Sequence, residues 1–312
     1  MVDNKQQWKA WLYLSPAIVL LLVFTVWPIF NTLYMAFAEG YGSLSGHYTG
    51  TFGLGNFEKV IFYFPDFWQC MKNTVLLCVL TVPVSTLLAL LIAVALNSIK
   101  GLQKLLQTIF FLPYVTNSIA IGMVFAAMFS IIGHQEAGKI ATVGIINNVL
   151  QFFTGDPNFY INWMGAGSPY WANIVVLVVY IVWNALPFKI LVLLGGLQAI
   201  NTQYYDAAKV DGTPRARVFT RITVPLLSPM LAYVIITGFI GGFKEYTSIV
   251  GVFGVNMKAP AGESLNTMVG LIYDNLGSDQ EGAASAAALI LFVIILIVTQ
   301  LNMKFGKKSI HY

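Results

Sequence analysis

The chain has 312 residues, of which 57% are hydrophobic and 10% are charged, and its mean hydropathy is +0.74. Soluble domains carry about 25% charged residues, so this composition excludes a soluble enzyme and a soluble binding domain. The net charge of +4 is modest. Because membrane topology explains the placement of the positive residues, we expect no nucleic-acid partner.

Six apolar segments are long enough to form transmembrane helices, each of which needs about 20 residues to cross the hydrocarbon core. The segments are residues 11–37, 74–96, 108–132, 171–197, 227–253 and 283–303. The sequence therefore predicts an all-α integral membrane protein with six transmembrane helices in the lipid bilayer. We expect residues 1–312 to form a single transmembrane domain.

Lys and Arg are distributed unevenly among the segments that connect these helices. Eleven of the 17 lie in the N-terminal tail, residues 97–107, residues 199–226 and the C-terminal tail, whereas four lie in the alternate connections. The other two, Lys189 and Lys244, lie inside helices. Because positive residues concentrate in cytoplasmic loops, we predict a multi-pass protein of the cell membrane with both termini in the cytoplasm.

Motifs for enzymatic chemistry are missing from the sequence. Cys70 and Cys78 lack the spacing of a metal site or a redox pair, and His47, His134 and His311 lie far apart. No G-x-x-x-x-G-K-[ST] motif is present, so the chain by itself is not expected to bind ATP or Mg²⁺. We predict a protein that is not an enzyme, with no catalytic residue, no metal site and no cofactor of its own.

The connection between the fourth and fifth segments, residues 201–226, is longer than a turn and contains both helix formers and helix breakers. Residues 203–211 predict a short helix, and Gly212 suits the left-handed position that follows a helix. Pro214 fits the first turn of a second helix, which we expect Pro225 to end. The connection is therefore predicted to be a cytoplasmic helix-turn-helix elbow.

The two elbow helices offer different surfaces. The first has a face with small residues, which lets another surface approach closely. The members of that face are Tyr204, Ala207, Ala208 and Asp211. The second helix carries Arg215, Arg217 and Arg221. Two interpretations are open from the spacing alone: a docking piece for a protein partner, or an amphipathic pair whose arginines contact anionic lipid.

The elbow resembles the E-A-A-x-x-D-G-A…I-x-L-P signature of the permease subunits of bacterial and archaeal ABC importers. The matching residues are Asp206-Ala207-Ala208, Asp211-Gly212, Ile222 and Val224-Pro225, with departures at Asp206, Thr213 and Val224. The resemblance implies that the elbow inserts into a groove on a separate ATPase subunit, which binds ATP and Mg²⁺. The residues implied in this coupling are Asp206, Ala207, Ala208, Asp211, Gly212, Arg215 and Pro225.

The resemblance extends along the chain to the first permease of carbohydrate importers similar to the maltose and glycerol-phosphate transporters. Phe111-Leu112-Pro113, Ile161-Asn162-Trp163 and Trp183 carry it, whereas the T-G-G-P sequence of the family is replaced within residues 254–267. It implies import of a sugar, a di- or oligosaccharide. It also implies four kinds of contact: a second permease subunit in a heterodimer, two ATPase subunits, an extracytoplasmic solute-binding protein and the bilayer.

Two other functions are alternatives to sugar import. The first is a permease of the same importer class for another solute, although an anionic solute is disfavoured because the six segments contain no arginine. The second is an ion-coupled secondary transporter, which normally has a longer chain with internal repeats. Co-purification with an ATPase distinguishes an importer subunit from a secondary transporter.

The helices that flank the elbow carry the polar residues expected to line a solute pathway. Helical periodicity places two sets of residues on two faces. The sets are Ile181, Asn184, Ala185 and Phe188 on the fourth helix, and Gly238, Gly241, Gly242 and Glu245 on the fifth. Because Asn184 and Gly241 lie near the middle of their segments, the two faces share a depth. The family resemblance places its sugar site between the same two helices.

These residues also have structural interpretations. Glycines in membrane helices often serve helix packing, so the glycine face is consistent with packing as well as with a pathway. Lys189, which is another polar candidate for the pathway, also has a structural interpretation in which its ammonium group extends towards the inner interface. Within the pathway, Phe188 is predicted to stack on a sugar ring, and Glu245 to accept hydrogen bonds from sugar hydroxyls.

Overall fold

The computed structural model describes residues 7–42, 51–99, 101, 103–131, 144–165, 167–255 and 264–309. His47, His134, His311 and the middle of residues 254–267 lie outside the described residues. Within them, regular structure is helical apart from an isolated bridge between Ala38 and Phe52. The prediction of an all-α fold is confirmed.

Fourteen α-helices are present in the described residues. They are α1 Gln7–Leu21, α2 Trp27–Phe37, α3 Gly55–Glu58, α4 Phe67–Ser98, α5 Gln103–Val115, α6 Ser118–Phe129, α7 Ile145–Thr154, α8 Tyr170–Gln198, α9 Gln203–Val210, α10 Arg215–Val218, α11 Val224–Phe243, α12 Thr247–Phe253, α13 Met268–Asn275 and α14 Glu281–Ser309. Short π-helical turns lie at Leu22–Val26, Lys59–Tyr63 and Phe219–Thr223.

Five stretches of the described chain are long and apolar enough to cross a membrane. They are Trp8–Phe37, Phe67–Ser98, Tyr170–Gln198, Arg215–Phe243 and Glu281–Lys304. A sixth candidate consists of α5 and α6, which meet the same criteria together but are bent by 97°. The six predicted spans are therefore found when this bent pair counts as one broken span.

The third predicted span, residues 108–132, is not a continuous helix. Pro113 lies near the end of α5, and Asn117 caps the start of α6. The Asn117 side-chain oxygen accepts the N–H groups of Ile119 at 2.9 Å and Ala120 at 3.3 Å. Because the cap satisfies donors that a helix start leaves free, the chain can turn at this point inside an apolar segment.

The fifth predicted span, residues 227–253, is also interrupted, between α11 and α12. The Glu245 carboxylate accepts the N–H groups of Tyr246 at 3.2 Å and Ser248 at 3.1 Å. The Thr267 hydroxyl donates to the Glu245 carbonyl at 2.8 Å. An acidic side chain is favourable at a helix N-terminus, so Glu245 stabilises the start of α12.

The chain divides into two compact units, Met1–Phe67 with Gly270–Phe292 and Trp68–Val269 with Val293–Tyr312. In the first unit, the Asn56 amide donates to the carbonyls of Met35, Ala36 and Ala38 at 2.9 to 3.2 Å. These bonds tie α3 to the end of α2. The single domain over residues 1–312 stays a prediction.

In the second unit, α4, α8 and α11 pack around a buried apolar cluster. Its members are Ala89, Leu90, Ala93, Leu96, Ile190, Leu193, Leu194, Leu197, Leu227 and Val234. A second cluster includes residues of α4, α6, α8 and α12. Where α6 crosses α12, a Cβ on Gly122 would lie 2.7 Å from the backbone of Gly251. Glycine therefore permits the close crossing.

Residues 201–226 contain α9, a turn and the start of a long helix. Gly212 has φ of +62°, the left-handed conformation expected after α9. The rest of the elbow differs from the prediction. Pro214 precedes α10 instead of lying in its first turn, and Pro225 does not end the second helix, which continues as Arg215–Phe243. A π-helical turn precedes Pro225, whose missing N–H falls in the first turn of α11.

Candidate functional site

A cavity of about 320 Å³ lies in the second unit between α4, α8 and α11. The residues that line it include small residues, residues with hydroxyl or amide groups, and aromatic, aliphatic and charged residues. They are Thr81, Val82, Ser85, Tyr114, Ile181, Asn184, Ala185, Phe188, Lys189, Thr237, Gly238, Gly241, Gly242 and Glu245. The volume is at the lower end of the range for small-molecule sites.

All eight residues that the sequence assigns to the pathway line this one cavity. They are Ile181, Asn184, Ala185 and Phe188 from α8, with Gly238, Gly241, Gly242 and Glu245 from the α11 side. Helix periodicity placed each set on a face, and the packing of α8 against α11 places the two faces together. Their role in solute passage stays a prediction.

Two polar side chains of the cavity differ in how far the protein already satisfies them. The Asn184 amide has no hydrogen bond to another described residue, so its donors and its acceptor are available to a solute. The Glu245 carboxylate already caps α12 through the N–H groups of Tyr246 and Ser248. The predicted acceptor therefore also has a structural role, which the periodicity of the sequence did not reveal.

The three glycines of α11 also differ from one another. A Cβ on Gly238 would lie 3.1 Å from Val82, and one on Gly242 would lie 2.8 Å from the Cys78 sulfur. No atom lies within 4 Å of a Cβ built on Gly241. The packing interpretation thus applies to Gly238 and Gly242, whereas Gly241 faces open space in the cavity.

An aromatic group forms part of the cavity wall. The Phe188 ring stacks on the Tyr114 ring, with centroids 6.0 Å apart and an interplanar angle of 20°. Behind this pair, the Tyr233 ring of α11 lies 6.5 Å from the Phe188 ring but does not line the cavity. Tyr114 is not among the pathway residues predicted from the sequence. Its position directly after Pro113, at the end of α5, is the feature that marks it.

The interpretation that the Lys189 ammonium group extends to the inner interface is wrong. The side chain does not extend to an interface; it is buried, and its ammonium group contacts α4 at the cavity wall. Thr81 and Ser85, on α4, were also missed. Sequence alone gives no signal for them, because they face the cavity only when α4 packs beside α8.

The elbow is more exposed than the cavity. Asp206 forms an ion pair with Lys209 at 3.1 Å on the exposed side of α9. Ala207, Asp211, Gly212 and Arg215 are exposed too. Such surface pairs contribute little to stability, so Asp206 is free to exchange Lys209 for another partner.

The predicted small-residue face of α9 is only partly available. Ala208 is buried within the chain, although Tyr204, Ala207 and Asp211 are exposed. The Tyr205 and Thr223 hydroxyls lie 3.3 Å apart and join α9 to the π-helical turn, which explains why that side faces inwards. Val210 is 88% exposed and was not selected from the sequence. The docking role of the elbow stays a prediction.

Comparisons with known proteins agree on one class of membrane component. Residues 74–309 match the family described as the binding-protein-dependent transport system inner membrane component. The lactose transport system permease protein of Rhizobium radiobacter is 32% identical over 295 residues, which cover 94% of this chain and 91% of that protein. The arabinooligosaccharides transport system permease protein of Bacillus subtilis is 27% identical over 298 residues, covering 95% and 88%.

A solved structure has the same fold. It is the crystal structure of a bacterial ABC transporter involved in the import of the acidic polysaccharide alginate. The matched chain has a TM-score of 0.77 and 23% sequence identity, with 98% of this chain and 97% of that chain covered. At this identity the likeness concerns the fold alone.

Proposed function

The chain belongs to the family of inner membrane components of binding-protein-dependent transport systems, and we propose that it is a permease subunit of an ABC importer for a sugar. It forms half of the translocation pathway for a di- or oligosaccharide. The observation that carries this proposal is the single cavity lined by all eight residues of the predicted α8 and α11 faces. These two helices join the ends of the elbow, so one structural unit contains both cavity and elbow.

The chemistry of the cavity suits an uncharged sugar. Asn184 offers both hydrogen-bond donors and an acceptor, and Thr81 and Thr237 add hydroxyl groups. Tyr114 and Phe188 supply an aromatic surface for the weakly apolar face of a sugar ring. The two relatives are named for lactose and for arabinooligosaccharides, which supports the same substrate class.

The proposed assembly contains a second permease subunit, two ATPase subunits and an extracytoplasmic solute-binding protein. The ATPase subunits bind ATP and Mg²⁺, and the elbow docks on one of them through Asp206, Ala207, Asp211, Gly212 and Arg215. Both termini lie in the cytoplasm, as the placement of Lys and Arg supports. In this proposal the chain forms the solute pathway and the elbow transmits ATP-driven movement to it. ATP hydrolysis takes place on the ATPase subunits, so this chain itself catalyses no reaction.

A co-purification experiment and an uptake assay together test this proposal. The affinity-tagged chain is expressed with the proteins encoded beside it, and the complex is isolated from detergent-solubilised membranes. We expect an ATPase and a second permease to co-purify, and vesicles containing the complex and binding protein to accumulate labelled lactose only with ATP. Isolation without an ATPase, together with uptake driven by an ion gradient, would contradict an importer subunit. ATP-driven uptake of other solutes but of no sugar would contradict the substrate class.

A further inference from the structure

Lys189 is a charged residue inside a membrane-spanning helix, and it is only 5% exposed. Its ammonium group donates to the Val82 carbonyl at 3.2 Å, the Ser85 hydroxyl at 2.7 Å and the Thr86 hydroxyl at 2.9 Å. An ammonium group has three hydrogens to donate. All three are directed at α4, so none remains for a solute in this arrangement.

Packing alone does not explain a lysine at this position. Lys189 has no ion pair within the described part of the chain, so neutral oxygens alone compensate its charge. Desolvation of an ammonium group is costly, and a methionine of similar length would fill the same space without that cost. An ionisable residue inside a membrane span therefore indicates a functional role.

Three helices meet at this ammonium group. A Cβ on Gly238 of α11 would lie 3.2 Å from Lys189 Nζ and 3.1 Å from Val82, so the glycine lets α11 approach α4 and α8. Val82, Ser85, Lys189 and Gly238 all line the cavity. The spacing of the cavity walls therefore depends on this junction.

Both helices that the lysine joins are weakened close to it. Pro83 lies inside α4, and Pro187 lies inside α8. Each proline removes one backbone hydrogen bond and favours bending at that level. The Lys189 contact therefore joins the two helices at the level where each of them can bend.

We infer that Lys189 is a positioning residue that clamps α8 to α4, beside α11, and thereby sets the width of the cavity. The Lys189 clamp consists of Lys189, Val82, Ser85 and Thr86. This role deepens the proposed function and rests on it, because it belongs to the solute pathway. Loss of the clamp should let the helices around the cavity separate even when no solute is present. Loss of a solute contact should not.

The chain contains a natural reporter of the distance between α4 and α11. Cys78 lies one helical turn before Val82 and is buried, with its sulfur 3.7 Å from the Phe239 carbonyl. A Cβ on Gly242 would lie 2.8 Å from that sulfur. Since Cys70 is the only other cysteine of the chain, Cys70→Ser leaves Cys78 as its single thiol. Alkylation of Cys78 by N-ethylmaleimide then measures whether the helices separate.

The experiment compares four changes in the Cys70→Ser background, in the assembled importer in membranes. They are Lys189→Met, the double change Ser85→Ala with Thr86→Val, the combination of all three, and Thr86→Ser. We expect the first two to raise the alkylation rate of Cys78 by about fivefold or more, because charged hydrogen bonds are lost. The combined variant should show no further rise, since both changes remove the same contacts. Thr86→Ser keeps the hydroxyl and should behave as the parent.

Uptake of labelled lactose, normalised to the amount of assembled complex, supplies the second measurement. We expect uptake to fall in parallel with the rise in Cys78 alkylation and to be retained in Thr86→Ser. Unchanged alkylation in both Lys189→Met and the Ser85→Ala, Thr86→Val variant, which keeps the Lys189 charge near the thiol, together with reduced uptake would assign Lys189 to solute contact and overturn the clamp. Effects that multiply in the combined variant would also overturn it. Lack of uptake of any di- or oligosaccharide in the parent would count against the proposed substrate class, while the alkylation comparison would still decide the clamp.

Discussion

The cavity and the elbow lie next to each other in the chain, yet their side chains are satisfied in different ways. Around the cavity, the buried Lys189 ammonium group donates to α4, and the Glu245 carboxylate accepts the N–H groups at the start of α12. On the elbow, the one ion pair of Asp206 within the described residues is with Lys209, and Arg215 is exposed. The difference is consistent with the proposal that the elbow surface is completed by a partner protein, whereas the residues that line the cavity all belong to this chain.

The largest expected effect comes from filling the cavity by Gly241→Leu. Because a side chain at this position meets no neighbour before it reaches the cavity, leucine should occupy the pathway without disturbing helix packing. We expect lactose uptake to fall to background while the ATPase still co-purifies. Gly195→Leu is the matched control, since Gly195 also has open space but does not line the cavity. Full uptake by an assembled Gly241→Leu importer would place the pathway elsewhere.

Gly212→Val is expected to reduce uptake less than Gly241→Leu does. Unlike Gly241→Leu, it should also weaken assembly with the ATPase. Valine disfavours the φ of +62° by on the order of 1–2 kcal/mol, which corresponds to roughly a tenfold change in the docked population. Recovery of the ATPase in pull-downs should fall with uptake, while the membrane level of the permease is unchanged. Gly212→Asn, which tolerates positive φ better, should be milder. Normal ATPase recovery in both variants would show that docking does not depend on this turn.

A moderate effect is expected for Asn184→Ala. One hydrogen bond to the solute contributes on the order of 1 kcal/mol, so uptake should fall by about fivefold without being blocked. The amide makes no bond to another described residue, and thermal stability of the complex should therefore not change. Asn184→Gln, which keeps the amide, is expected to retain more uptake than Asn184→Ala. Equal loss in both variants, or a lowered melting temperature, would indicate a packing role.

The smallest effect is expected for Lys209→Ala on the elbow. Its ion pair with Asp206 joins two side chains that are 78% and 65% exposed, and such pairs have little influence on stability. We expect uptake and ATPase recovery to stay within about twofold of the parent. Asp206→Ala, in contrast, should reduce ATPase recovery clearly if the carboxylate contacts the partner. Equal behaviour of the two variants would remove Asp206 from the docking surface.

Local properties of the sequence were sufficient for several features of the molecule. Runs of apolar residues identify the membrane-spanning segments, because a helix in lipid must satisfy its own backbone and present apolar side chains. Gly212 marks a turn because few other residues adopt positive φ. Helical periodicity grouped Asn184 with Phe188, and Gly241 with Glu245, since residues three or four apart share a face.

The tertiary structure decided which groups those faces meet. The partners of Lys189 lie more than 100 positions earlier in the chain, so no local pattern predicts that its ammonium group turns towards α4. Tyr114 reaches the cavity only because α5 ends beside α8, and Glu245 leaves the helical path to cap α12. Hydropathy and periodicity describe one segment at a time, whereas the partners of a buried ammonium group such as that of Lys189 are oxygens that a distant segment supplies.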